Sequence, residues 1–169
     1  MYDQAVPDTN DRGDGVAFLL TQLGHDAATQ FAEQMATVDL SPPHAGILRA
    51  IAAEPGRSQQ ALSGQLGVLP SRIVAYVDEL EERGYVERRR NPDDRRLYAL
   101  HLTTSGKRLL QKVSTLARQH EGRITAGLDE RQRATLHELL TTLARQRGLS
   151  PHVHPGYRNL GAPNSRATR

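Results

Sequence analysis

The sequence predicts a mainly α-helical protein with one small β-hairpin, and three observations support this fold class. Apolar residues recur at three- and four-residue steps through most of the chain, which is the period of helices that bury one face. Serine, threonine or aspartate precedes several of these segments and glycine or proline follows them, as expected at helix ends. Between residues 85 and 102 the pattern changes to short runs of β-forming residues.

The composition fits one globular domain and excludes several kinds of site. The 169 residues suit a single domain, and because only 4% are aromatic we expect an aliphatic core. The absence of cysteine excludes disulfides, thiolate metal sites and thiol redox sensing. The first twenty residues lack the pattern of a secretory signal, and no segment is long enough to cross a bilayer. We therefore expect a cytoplasmic protein with no membrane partner.

Six helices are predicted between a polar lead-in at 1–13 and an extended or disordered tail at 150–169. Ser58 and Thr103 are expected as N-caps, Ser41 with the prolines after it marks another helix start, and the last helix is expected to begin at Asp129. The predicted ranges are 16–38, 42–53, 58–66, 70–83, 104–124 and 129–147.

The third and fourth helices are separated by only 67–69, the short link of a helix-turn-helix. The second helix of such a pair reads DNA, and its outward side is predicted to carry Ser71, Arg72 and Ala75 near the start. Arginine pairs with guanine or with phosphate. Short helix pairs also occur as plain structural corners, so this feature alone leaves both interpretations open.

Residues 85–90 and 97–102 are predicted to form a β-hairpin around a turn at 91–94. Residues 83–96 hold six arginines against three acidic residues, which favours a polyanionic partner, although a solvated turn has the same composition. A charged hairpin directly after a helix-turn-helix favours double-stranded DNA as the partner.

From about Leu40 to Leu110 the sequence resembles the multiple antibiotic resistance regulator (MarR) family of winged helix-turn-helix regulators. The segments that carry the resemblance are LSP at 40–42, ILRAI at 47–51, SQ at 58–59, LGV at 66–68, VDELEERG at 77–84, RR at 88–89, NPDDRR at 91–96 and LT at 102–103 before Gly106. The hairpin corresponds to the family's wing.

The resemblance implies that an arginine at the wing tip enters the minor groove, held by an aspartate two residues earlier. These residues correspond to Arg96 and Asp94, with Arg95 as the second candidate for the tip. A narrow minor groove concentrates negative potential, which attracts guanidinium groups. We predict wing contacts to DNA at Arg90, Asp94, Arg95 and Arg96.

Two positions of the reading helix depart from the family pattern. Ala75 stands where arginine is common, and Leu69 stands where a capping serine is common. Alanine contacts only apolar groups such as a thymine methyl. The sequence therefore predicts the placement of this helix but not the operator sequence.

The resemblance also implies a homodimer, with 14–38 and 104–148 forming an intertwined helical dimerisation region and 40–102 forming the DNA-binding region. A monomeric bundle is the alternative. A twofold protein would place its reading helices about 34 Å apart, which predicts a palindromic operator. The implied function is repression relieved by a small aromatic or phenolic ligand, near which His25 and His44 are expected.

No enzyme, metal site or cofactor is predicted. His152 and His154 have no third ligand at convincing spacing, and no nucleophile elbow, phosphate-binding glycine loop or zinc-protease helix is present. The alternative is a winged-helix module that binds protein instead of DNA. The arginines at 88–96 argue against it.

Overall fold

The computed structural model describes residues 15–90, 98–151 and 153, which contain six helices and two strands. Their bounds in chain order are α1 Val16–Ala36, α2 Pro42–Ala53, α3 Gln59–Leu66, α4 Pro70–Glu82, β1 Val86–Arg90, β2 Tyr98–Leu102, α5 Thr104–Ile124 and α6 Glu130–Gln146. This is the mainly α fold with a small hairpin that the sequence predicts.

Cap bonds explain where several helices begin. Oγ of Ser58 accepts a hydrogen bond from the amide of Ala61 at 3.2 Å, and a carboxylate oxygen of Asp129 accepts one from the amide of Gln132 at 2.8 Å. α1 ends two residues before its predicted limit, because the chain reverses through Asp39 in the left-handed region with φ 55°.

The hairpin is fixed at its base by a third short segment. β1 and β2 pair antiparallel along their full length. On the other side of β2, the amide of Gly56 donates to the carbonyl of Leu100 at 2.9 Å, and the amide of Leu100 donates to the carbonyl of Arg57 at 3.0 Å. The strand that leads out of the hairpin is therefore held from both sides.

The start of α5 is joined closely to the turn between α4 and β1. Oγ1 of Thr103 accepts from the amide of Gly106 at 3.0 Å and donates to the carbonyl of Gly84 at 2.7 Å. A Cβ on Gly106 would lie only 1.9 Å from the carbonyl oxygen of Tyr85. Glycine is required here because the two backbones touch.

One hydrophobic core joins α2, α3, α4, the hairpin, the end of α1 and the first half of α5. Its largest fully buried side chains are Met35, Ile47, Leu48, Ile51, Leu62, Ile73, Val77, Leu80, Val86 and Leu100. No helix in the described ranges combines the length and the hydropathy needed to span a membrane.

The apolar stripes of α1 and α6 lie largely outside this core. In α1 the exposed fraction is 52% at Phe18 and 59% at Leu23, and in α6 it reaches 60% at Leu139. No residue of α6 is buried. The remaining large apolar residues exposed on the two helices are Val16, Leu19, Leu20, Leu136, Leu140 and Leu143. The periodicity predicts both helices correctly, but within one chain these faces have no apolar cover.

Candidate nucleic-acid interface

The link between α3 and α4 is tightly fixed. α3 ends at Gly67 with φ 63°, the left-handed conformation that glycine adopts readily. The side chain of Val68 is buried, and Oγ of Ser63 donates to its carbonyl oxygen at 2.6 Å. α4 then begins at Pro70. The two helices therefore form the predicted helix-turn-helix.

The start of α4 presents the predicted reading residues to the outside. The helix is anchored by three side chains with no exposure: Ile73, Val77 and Leu80. Ser71 and Ala75 are exposed and Arg72 is half-buried. These exposures agree with the helical wheel, which places the three residues away from the core.

The exposed side of α4 carries apolar residues as well as Ser71 and Arg72. Val74 is 42% exposed and Leu69, just before the helix, is 55% exposed. Exposed apolar side chains such as these and Ala75 can contact the methyl groups of thymine. Val74 was not among the predicted site residues, because a helical wheel places it three residues from Val77, near the margin of the buried face.

The wing arginines differ in their surroundings. Arg90 at the end of β1 is exposed. Arg89 is also exposed and forms an ion pair with Glu87, with Nη2 lying 2.5 Å from Oε1. The predicted wing-tip residues Asp94, Arg95 and Arg96 lie outside the described residues, so their role stays a prediction.

Arg88 is held against the reading helix. Its guanidinium forms ion pairs with Asp78 and Glu81 of α4, and its backbone amide donates to Oε1 of Glu81 at 3.1 Å. Only 17% of the Arg88 side chain is exposed. In the sequence the arginines of this region form one basic cluster, and nothing there distinguishes this residue from its neighbours.

His44 is buried between α2 and α4. Nδ1 lies 3.2 Å from the backbone amide of Ser41, and Nε2 lies 2.9 Å from Oε2 of Glu79. The ring meets Tyr76 edge-on, with centroids 5.0 Å apart. Burial lowers the pKa of His44, Glu79 raises it and nearby Arg83 lowers it, with burial dominating. These contacts give His44 a structural role between the two helices.

The predicted effector residues do not share one surface. His25 is exposed on α1, whereas His44 is occupied by its contacts with α2 and α4. Neither residue lines the cleft of about 600 Å³ that lies between α2, the hairpin and α5.

That cleft combines an apolar floor with positive charge. Ile51, Leu102 and Leu110 contribute apolar surface, and among the described residues no carboxylate lines it. Its basic side chains are Arg89, His101, Lys107 and Arg118. Such surroundings suit a small molecule with an apolar body and an acidic group.

Metal ligation finds no support in the described part of the chain, where no three histidine, aspartate or glutamate side chains cluster. His152 and His154, the pair considered from the sequence, lie outside the described residues.

A helix-turn-helix followed by a basic hairpin defines the class of winged-helix proteins.

Comparisons with known proteins agree with this class. The MarR family profile matches residues 38–97. A protein of Thauera aromatica, described as a putative transcriptional regulatory protein for the hcr operon, is 37% identical over 126 residues, which cover 74% of this chain and 76% of the relative. This chain belongs to the MarR family, whose members are transcriptional regulators and not enzymes.

Solved structures show the same fold. The transcriptional repressor CouR bound to a 23-mer DNA duplex is 32% identical with a TM-score of 0.69, covering 83% of this chain and 99% of that one. A MarR variant from E. coli complexed with operator DNA is 23% identical with a TM-score of 0.65, covering 75% and 91%. Because the MarR variant is only 23% identical, its similarity to this chain concerns the fold alone.

Proposed function

We propose that this chain is a homodimeric repressor that binds a palindromic operator in double-stranded DNA. The observation that carries the proposal is the outward start of α4 beside a wing with exposed Arg89 and Arg90, in a chain whose relative CouR is bound to DNA. In this arrangement α4 enters the major groove while the wing reaches the adjacent minor groove. The protein would act in the cytoplasm, where the bacterial chromosome lies.

The homodimer is supported by the exposed apolar faces of α1 and α6. Rows of large exposed apolar side chains such as these are typical of an interface in a stable protein. The two helices flank the winged-helix part in sequence, and in the proposed dimer they pair while both reading helices stay outside the interface. Two copies related by a twofold axis recognise two identical half-sites, which is why a palindrome is expected.

The operator is best found by selection from sheared genomic DNA, with the retained fragments sequenced. The wild-type chain is expected to enrich fragments that share one palindrome. The Arg72→Glu variant should lose this enrichment because its carboxylate repels the DNA, whereas Arg147→Glu, at the end of α6, should retain it. Absence of any enriched palindrome with the wild type would favour the alternative, a winged-helix module that binds protein.

Relief by a small molecule is the second part of the proposal, and the cleft between α2, the hairpin and α5 is its candidate site. We expect a small aromatic or phenolic ligand with an acidic group. Because both hairpin strands line this cleft, a ligand there shifts the wing only if it binds the DNA-free arrangement more tightly.

A screen of aromatic carboxylates and phenols for release of labelled operator tests this site. A compound that releases DNA from the wild type should do so less effectively with Lys107→Gln, which removes a cation from the cleft. Lys112→Gln is the matched control, since Lys112 lies on the same helix outside this cleft. An equal response of both variants would exclude the cleft as the effector site.

A further inference from the structure

Arg88 connects the two parts of the candidate interface. It lies in the middle of β1, opposite Leu100 of β2, which is fully buried. Its guanidinium reaches across to α4, where one nitrogen pairs with Asp78 and another with Glu81. A single side chain thus ties the hairpin to the reading helix.

The surroundings of Arg88 separate it from the other arginines of the strand. Its side chain is 17% exposed, against 61% for Arg89. Ion pairs between exposed side chains contribute little to stability, but a shielded guanidinium with two carboxylate partners is screened less by water and salt. The backbone amide of Arg88 adds a third bond to α4 through Glu81. The contact is therefore directional as well as electrostatic.

A guanidinium paired with two carboxylates is poorly placed to bind a phosphate, because contact with DNA would require breaking both pairs. Asp78 and Glu81 belong to the helix proposed to enter the major groove, where unpaired carboxylates repel the DNA backbone. Arg88 therefore has two effects that experiments can separate: it fixes the wing on α4, and it neutralises two acidic side chains.

We propose that Arg88 is a positioning residue that sets the angle between the wing and the reading helix, so that both reach their grooves at once. This inference rests on the proposed DNA binding. Arg88 itself does not contact DNA, and its effect passes through the arginines of the wing.

Hydroxyl-radical footprinting of the full-length protein on its selected operator tests the proposal. Arg88→Ala is expected to bind about tenfold more weakly, comparable to the loss of a wing contact. It should lose protection of the flanking minor grooves while keeping protection of the central major grooves. Arg108→Ala, in an exposed residue of α5 away from the wing, should keep the flanking protection.

Combined variants separate the positioning of the wing from charge neutralisation. Restoration of flanking protection in Arg88→Ala by adding Asp78→Asn and Glu81→Gln would show that neutralisation alone is at work and would overturn the proposal. The charge swap Arg88→Glu with Glu81→Arg re-forms an ion pair and should recover flanking protection relative to Arg88→Glu alone. Glu81→Arg alone serves as the control for added positive charge.

A thermodynamic cycle gives an independent check, because it compares binding energies and does not depend on the pattern of protection. If Arg88 positions the wing, Arg90→Ala should cost less affinity in the Arg88→Ala background than in the wild type. Additive losses would show that Arg88 acts separately from the wing and would contradict the proposal. Failure of the wild type to bind any DNA would refute the proposed function instead.

Discussion

Nε2 of His44 lies 2.9 Å from Oε2 of Glu79, so one hydrogen bond joins the first turn of α2 to the reading helix α4. On the opposite side of the ring, Nδ1 lies 3.2 Å from the backbone amide of Ser41. A backbone amide only donates, so Nδ1 must accept and the ring proton lies on Nε2. The fold therefore holds His44 in its neutral form, in agreement with the lowering of its pKa by burial.

The first prediction concerns stability against pH. Because the pKa of His44 is lower in the folded than in the unfolded chain, its contribution to the free energy of unfolding is complete above about pH 6.5, the unfolded value, and decreases as the pH falls below it. Urea unfolding at pH 7.5 and at pH 5 should show a smaller loss of stability in His44→Gln than in the wild type.

The control for this experiment is His120→Gln. Burial also lowers the pKa of His120, on α5, so its variant shows how much of the pH dependence arises elsewhere. Protein concentration is kept constant, since self-association changes apparent stability. Identical pH dependence of the wild type and His44→Gln would contradict the prediction.

The second prediction concerns the junction at Gly106. Gly106→Ala should lower the free energy of unfolding by about 2–3 kcal/mol, because the added methyl group meets the carbonyl of Tyr85 and forces the backbones apart. Gly122→Ala, in the same helix, is the control. Its added Cβ has no neighbour within 4 Å, so it should stabilise the helix by up to about 1 kcal/mol. Thermal unfolding of both variants distinguishes the two sites, and equal shifts would disprove the close approach.

The third prediction concerns the exposed face of α6. Leu139→Asp places a charge at the most exposed leucine of that face and should convert the proposed dimer into a monomer at micromolar concentration. Thr141→Asp, on the other side of the helix, should leave it a dimer. Sedimentation velocity measures both. A monomeric wild type would end the dimer proposal.

The fourth prediction concerns the wing tip. Arg96→Ala should weaken operator binding by about 1–3 kcal/mol, and a phosphate contact would also flatten the dependence of affinity on salt. Arg108→Ala, on α5 away from the wing, should bind as the wild type does. Fluorescence anisotropy at several salt concentrations provides both quantities, and unchanged binding would remove Arg96 from the interface.

The local elements of this fold could be predicted because their signals are local. Ser58 and Asp129 cap the helices that they precede, and the strands lie within one residue of their predicted bounds. Periodicity also predicts α6 correctly. Periodicity alone does not show what covers an apolar stripe, and the expectation that a second copy covers α1 and α6 came from the family resemblance.

The candidate site was less predictable because its bonds join distant residues. His44 and Glu79 are 35 positions apart, and Arg88 meets Asp78 ten positions earlier, across a turn. Sequence patterns identify these residue types but not their partners. His44 was therefore expected at an effector pocket, whereas its two ring nitrogens already have partners in the protein.

Because the backbone of Gly106 contacts that of Tyr85, a rotation of α5 at this point is expected to shift the base of the wing as well. α5 has 21 residues and is therefore about 31 Å long. For a helix of this length, a rotation of about 5° at Gly106 moves the C-terminal end of α5 by about 3 Å. In the proposed dimer, a small change in the orientation of α5 at the subunit interface would therefore alter the distance between the two wings. The spacing of the operator half-sites that both wings can bind would change with it.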